Sequence, residues 1–412
     1  MGQVDPPLRD RGRLTAQPGV ATIAVVARDL VEELMHAKLR IRGALADLQG
    51  DALDPPPGPT HNPLRWELGH VAFFWDHFFL RELGRADYLL EDAETLYDSF
   101  DVAHDERWGL RLPSRDETFA YLDRVVDAVA ERLASIGDGE DARAVALHGL
   151  ALCHADMHRE ALVMTRQTLG HAAPPDLASP SGADLTATGE LTFPSGHVVL
   201  GPDADAIYAF DNERPPHERE VGPFAIDAGL VSNRQMLAFV EAGGYARREW
   251  WTRQGWVWRS RQARRMPRYW HRLAEDGWLE QRFDRLVPLD LDAPAQHLSW
   301  YEAMAYCRFA GRRLPSEAEW VCAARSGRGV GFFGQVWQWT ADPFYPFPGY
   351  VVGEPYREYS APWFGYRKVL KGGSHATPAS LVRLGYRNFF TPERDDVIAG
   401  LRTCAGTCAG TC

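Results

Sequence analysis

The chain has 412 residues, 45% hydrophobic and 25% charged, which at roughly 150 residues per domain means two or three domains with more than one packed core. No apolar run approaches the roughly 18 residues of a bilayer span, and 45 Lys plus Arg against 56 Asp plus Glu leave a net charge of -11. Neither a membrane nor a nucleic acid is expected as partner.

The first segment, 1–20, holds Pro6, Pro7 and Pro18 and no apolar stretch. It reads as flexible and unlike a secretory signal, so a cytoplasmic location is the default. Leu30, Val31, Leu34, Met35, Leu39, Ile41, Leu45 and Leu48 then recur at steps of three and four, which predicts an amphipathic helix over about 20–50. A proline-rich break at 54–60 ends it, and helical runs follow over 63–83, 115–136 and 141–169. Four helices with a long second connection make a bundle over 21–170.

Residues 171–190, rich in Pro, Ala, Ser and Gly, read as a linker. The remainder, 191–405, has short strand-like pieces at 197–200 and 369–370, two helices at 232–242 and 299–310, and many turns. Eleven of the 14 tryptophans lie beyond residue 240. This is the pattern of an α+β domain with aromatic loops, and such loops hold ligands. Six cysteines are too sparse for a disulfide framework. Three of them, Cys404, Cys408 and Cys412, form a short terminal repeat expected to fray, with 406–412 as a tail.

Within the fourth helix, His154 and His158 stand four apart and share one face, about 5–6 Å between Cβ atoms. The second helix offers His70 among apolar residues, on a face that must point into the bundle. Facing helices of a bundle are where metal sites are built, and a buried imidazole without a partner costs free energy. Three neutral imidazoles suit Zn, Fe or Cu alike. His77, one heptad after His70, is the competing ligand but reads as an interior residue; His61 and His148 read as surface or packing residues. Glu160 falls on another face from His158 and reads as a solvated acid.

The second half carries Arg313-Leu-Pro-Ser-Glu-Ala-Glu-Trp320, Gly334-Gln-Val-Trp-Gln-Trp-Thr340, Val369-Leu-Lys-Gly-Gly-Ser374, Tyr386-Arg-Asn-Phe-Phe390 and Gly400-Leu-Arg402 in that order. The series resembles the formylglycine-generating-enzyme-like (sulfatase-modifying-factor) fold, a C-type-lectin-related α+β domain. Joined to a DinB-like four-helix bundle bearing His70 and the His154/His158 pair, the chain from about 25 to 405 resembles the ergothioneine-type sulfoxide synthases, the EgtB family. Formylglycine generation itself needs a cysteine pair for copper after the Gly-Gly-Ser block; residues 374–386 contain none, which disfavours that activity.

The resemblance implies a non-haem Fe(II) held by His70, His154 and His158, joining hercynine, the trimethylated betaine of histidine, to a sulfur or selenium donor with O2. Tyr356 and Tyr359 match the family's active-site tyrosine pair, Tyr356 giving a proton or hydrogen atom to reduced oxygen and Tyr359 supporting it. Asn388 matches a hercynine contact. Phe389, Phe390, Trp337 and Trp339 are candidates for an aromatic cage around the trimethylammonium group. Arg387, with Arg81 and Arg85, could meet the donor's polar groups. Met157 stands where the family often has a hercynine-binding Gln, and Phe390 where glutamylcysteine-using members have Asp. The ending at 390–405 looks like selenoneine synthases, the SenA branch, so a selenosugar is the first expected donor and a cysteine-type thiol the second. Two readings from other classes are a DinB-like thiol transferase using Zn or Ni, and a non-catalytic lectin-like binder.

Overall fold

The computed structural model describes residues 20–136, 141–177, 185, 187–273 and 277–406. Of the expected flexible segment 1–20, residues 1–19 lie outside the described residues and Val20 begins a helix; linker residues 178–184 and 186 and tail residues 407–412, with Cys408 and Cys412, also lie outside them.

The bundle consists of α1 (Val20–Leu45), α2 (Leu64–Trp75) running on into a π-helical turn (Asp76–Arg81), the short α3 (Ala93–Tyr97) in the long connection, α4 (Arg115–Ala134) and α5 (Ala142–Leu169). Local chemistry fixes the ends. Ser114 and Glu117 form a capping box at the start of α4, the Ser114 N–H donating to Glu117 Oε2 at 2.8 Å. Asp141 accepts from the Ala144 N–H at 2.9 Å to open α5, and Gly170 closes it in the left-handed conformation, φ 67°. Of the predicted apolar stripe on α1, Leu30, Leu34, Ile41 and Leu45 are buried, joined by Ala37 and Ala44, whereas Met35 and Leu39 are exposed. In α2 every side chain except Arg65 is buried, so this helix forms the centre of the bundle. That burial is tight: a Cβ on Gly69 would meet the Tyr97 ring at 2.1 Å.

Among its described residues the second half has four small sheets. Strands β1 (Glu190–Phe193) and β4 (Phe224–Asp227) pair antiparallel, as do β2 (Gly196–Leu200) and β3 (His217–Val221). A three-stranded meander joins β5 (Trp270–Leu273), β6 (Gly277–Arg282) and β7 (Arg285–Pro288). The largest sheet has the order β10 (Asn388–Phe390), β9 (Lys368–Lys371), β8 (Trp337–Pro343), β11 (Ala399–Gly400), the last pair parallel. The expected helices are α6 (Asn233–Glu241) and α8 (Trp300–Phe309); α7 (Arg253–Arg261) and α9 (Glu317–Arg325) were not anticipated. For α9 the signal was present: Ser316 and Glu319 form a capping box inside the Arg313–Trp320 motif.

One hydrophobic core runs from Leu34 in α1 through Trp75 and Leu162 to Trp339, Val369 and Leu401. Bundle and α+β half are therefore packed as one body. A Cβ on Gly149 of α5 would meet Ile207 O at 2.6 Å, a measure of how closely the two halves approach. Cys404 is not part of a frayed end: it is fully buried in a second core with Val198 and Trp320 and exchanges backbone hydrogen bonds with Arg313. Among the described residues no helix is long and apolar enough to cross a membrane.

The α8 N-terminus makes a pH prediction. Glu302 accepts from Ser299 N and Oγ at 2.8 Å each and from Tyr245 Oη at 2.6 Å, yet burial, with Asp395 nearby, pushes its carboxyl up to about 7 from the usual 4.5. The folded state then holds the proton more tightly than the unfolded chain. Stabilisation from this group is complete below pH 4.5 and lost as pH rises to 7, a span of about 3 kcal/mol. In Glu302→Gln that component is gone, so urea midpoints should show the wild type gaining on the variant as pH falls through this window. Parallel pH profiles would mean that the carboxyl is ionised throughout.

Candidate active site

His70 comes from the buried centre of α2, His154 and His158 from successive turns of α5. One ring nitrogen from each lies within 4.8 Å of the others, and the Nε2 atoms of His154 and His158 are 3.1 Å apart. The other nitrogens explain that aim. Nδ1 of His70 donates to Tyr97 O at 2.8 Å and Nδ1 of His158 to Glu67 Oε1 at 2.7 Å, which turns the Nε2 edge of each ring toward the other imidazoles. His154 is fixed by stacking on Phe74, centroids 3.5 Å apart and planes 10° from parallel. His70 is stacked on Trp66 at 4.8 Å.

Burial pushes His70 down to about 3, and burial together with His158 and His70 holds His154 well below its usual value. Both are neutral imidazoles at pH 7. Glu67 is buried, which alone would raise its carboxyl, but His158 and the Asn62 amide outweigh this and lower it, so it stays a carboxylate. Imidazole nitrogens converging on one point, two of the rings braced by a carbonyl and a carboxylate, fit a divalent iron, and equally the other imidazole-seeking metals.

His77 does not join them: its Nδ1 bonds to Tyr88 Oη at 2.8 Å. His148 is buried against Trp75, and His61 bonds to Pro56 O. Both are packing residues.

The α+β half closes over the imidazoles with Tyr356 and Tyr359. The Tyr356 ring lies 6.1 Å from His154, 5.1 Å from Phe74, 5.2 Å from Phe78 and 5.7 Å from Tyr359. Tyr359 Oη donates to Met157 Sδ at 3.5 Å, shares a hydrogen bond with Tyr386 Oη at 3.2 Å, and its ring stacks on Phe210 at 3.9 Å. Burial raises both phenols above their ordinary range, Tyr359 with help from Tyr386. They keep their protons at neutral pH and can donate. Phe389 is buried with its ring at an angle to Tyr359, 5.6 Å away, and stacked on Phe344. Asn388 is half-buried; its Oδ1 accepts from the Phe389 N–H, and among the described residues its amide nitrogen has no hydrogen-bond partner.

Three expected substrate contacts are corrected. Trp337 and Trp339 are fully buried, their indoles donating to Glu160 Oε1 at 2.8 Å and Leu298 O at 2.7 Å, so neither offers a face to a ligand. Arg387 is buried and held by Glu317 and by the Asn212 and Tyr345 carbonyls; it braces the fold. Phe390 is half-buried beneath the Arg394 guanidinium, 4.9 Å from its ring. Arg81 and Arg85 bond to carbonyls of their own loop.

Glu160 is likewise not a solvated acid. It is buried, and its Oε1 accepts from Trp337 Nε1, Ser374 Oγ at 2.6 Å and Thr377 Oγ1 at 2.5 Å. This one oxygen of α5 pins the turn after His158 to β8 and to the loop after β9. Glu67 was also missed, although it is the one acidic residue of α2 and stands three positions before His70, on the same face.

The comparisons with known proteins agree with the two-part architecture. The DinB superfamily matches residues 33–161, and the sulfatase-modifying factor enzyme 1-like domain matches residues 176–332. The hercynine oxygenase of Mycolicibacterium thermoresistibile is 31% identical, covering 91% of this chain and 94% of the relative. The chain belongs to the hercynine oxygenase family. The Mycobacterium tuberculosis hercynine oxygenase is also 31% identical, over 84% of this chain and 91% of its own length. By contrast, the formylglycine-generating enzyme of Streptomyces coelicolor is 25% identical and covers 54% of this chain and 91% of its own length. Membership of the hercynine oxygenase family makes this protein an enzyme of the oxidoreductase type, built from a DinB-like helical domain and an α+β domain.

Proposed function

We propose that this enzyme uses a non-haem Fe(II) bound by His70, His154 and His158 to form a carbon–selenium or carbon–sulfur bond at the imidazole C2 of hercynine, with O2 as oxidant and a selenosugar as the preferred donor. The observation that carries the reading is the meeting of three imidazole nitrogens from two helices within 4.8 Å with the Tyr356 ring 6.1 Å from His154. Bundle and α+β half thus contribute to one site. Neither a bundle-only thiol transferase nor a lectin-like binder would need both.

Iron, when bound, would supply coordination positions for O2 and the substrates and the means of reducing O2. The chain's own residues orient and protonate. Tyr356 Oη holds a proton that burial keeps in place, available to reduced oxygen, and Tyr359, tied to Met157 and Tyr386, keeps the Tyr356 ring from turning away. Asn388 offers its unpaired amide N–H groups to a carboxylate, and Phe389 an apolar aromatic edge. Support for a donor without a charged amino group comes from Phe390: a phenyl ring cannot make the salt bridge that a carboxylate would offer the ammonium of glutamylcysteine.

Anaerobic loading with Fe(II) and titration with hercynine tests the assignment; an iron spectrum unmoved by hercynine would count against it. Mass spectrometry of products formed with selenosugar, cysteine and glutamylcysteine in competition decides the donor. Tyr356→Phe should bind both substrates as the wild type does, while coupled product falls about 100-fold relative to oxidised donor. An unchanged product ratio would remove Tyr356 from the chemistry.

A further inference from the structure

We propose that Arg107 is a positioning residue of the metal centre, one guanidinium that braces two of the three histidines through separate arms. The inference rests on the metal reading above and concerns residues outside the ligand set. Arg107 lies in a 3-10 turn (His104–Gly109) of the long connection between α2 and α4. Along the first arm its Nη1 donates to Asn62 Oδ1 at 2.7 Å, Asn62 Nδ2 donates to Glu67 Oε2 at 2.7 Å, and Glu67 Oε1 accepts from His158 Nδ1 at 2.7 Å. Along the second arm the guanidinium carbon stands 3.9 Å from the Trp66 ring centre, and Trp66 is stacked on His70.

The geometry leaves little slack. Asn62 must present oxygen to Arg107 and nitrogen to Glu67, the one amide orientation that serves both. Nη2 of Arg107 donates to Ser99 O at 3.3 Å and Val102 O at 3.2 Å, so the guanidinium is anchored in the loop whose Phe100 ring lies 6.0 Å from Tyr356. A planar fork with five donors can make these contacts together and stack on an indole; an ammonium cannot. Partners that orient metal-bound imidazoles are worth about 10–100-fold in metal affinity.

The test uses the full-length protein with Fe(II) and with Co(II), whose visible absorption reports ligand geometry. Arg107→Met should lose Fe(II) to a chelator about 10–100-fold faster than the wild type and shift the Co(II) bands. Asn62→Leu, which cuts only the first arm and leaves Arg107 on its loop, should shift the bands in the same sense by less. Arg107→Lys should not restore the wild-type spectrum. Wild-type Fe(II) retention and Co(II) bands in a folded Arg107→Met protein would overturn the proposal. Should Arg107→Met not fold, an unshifted Co(II) spectrum in Asn62→Leu would overturn it and a shifted one would support it. If the wild type itself binds neither ion through its histidines, the metal reading fails and the inference falls with it.

Discussion

Replacing His158 with Ala should leave the enzyme without retained iron, a loss of more than about 100-fold in affinity, since removing a ligand outright exceeds the 10–100-fold cost of removing a ligand's partner. His70 and His154 would remain as a two-nitrogen site, which holds a divalent ion poorly. A further cost falls on the metal-free protein. Glu67 Oε1 loses its donor and is left with Asn62 bonding only the other oxygen, on a side chain that is itself buried, so stability should drop by about 1–3 kcal/mol. Metal analysis after desalting and denaturant unfolding of the metal-free forms read the two effects separately. A His158→Ala protein that keeps one iron per chain would discard the ligand set.

Glu160→Ala should be the most damaging change made away from the imidazoles. Three donors from the α+β half, Trp337 Nε1, Ser374 Oγ and Thr377 Oγ1, converge on its Oε1, and alanine would strand all of them in a dry interface. At about 1–3 kcal/mol for each unsatisfied group, with Ser374 and Thr377 partly relieved by bonding each other at 3.0 Å, a net loss of about 3–5 kcal/mol is expected. Because Glu160 follows His158 by two residues, the turn carrying His158 should also lose its registry with Tyr356 and Tyr359. Glu160→Gln keeps an acceptor oxygen and should cost less than half as much. The measurements are the denaturant midpoint and proteolysis within 171–177; a Glu160→Ala protein as stable and as protease-resistant as the wild type would show that the two halves are held by apolar packing alone.

How much of this was legible in advance follows from what local rules can see. The spacing of apolar side chains and the caps at Ser114, Asp141 and Gly170 are short-range facts, and the long bundle helices lie where they indicate. The four-residue interval of His154 and His158 is of the same kind, which is why the pair could be read from the chain. Short strands were mostly missed, because their pairing is decided by partners far away in sequence, as when Asn388 meets Leu370.

The sequence by itself determined the positions of the long bundle helices, the shared face of His154 and His158, and the series of motifs that marks the second half. Only the tertiary structure decided what each polar group faces. Glu160 lies 177 residues from Trp337, and nothing in its local spacing distinguishes a carboxylate that will be buried and bonded from one that will meet water; the spacing of Glu67 showed the face it shares with His70 but not its partner His158, 91 residues away. Trp337 and Trp339 share one side of β8, and that side turned out to be core. Side-chain burial and hydrogen-bond partnership are set by which surfaces the two halves press together, and that contact exists only after both have folded.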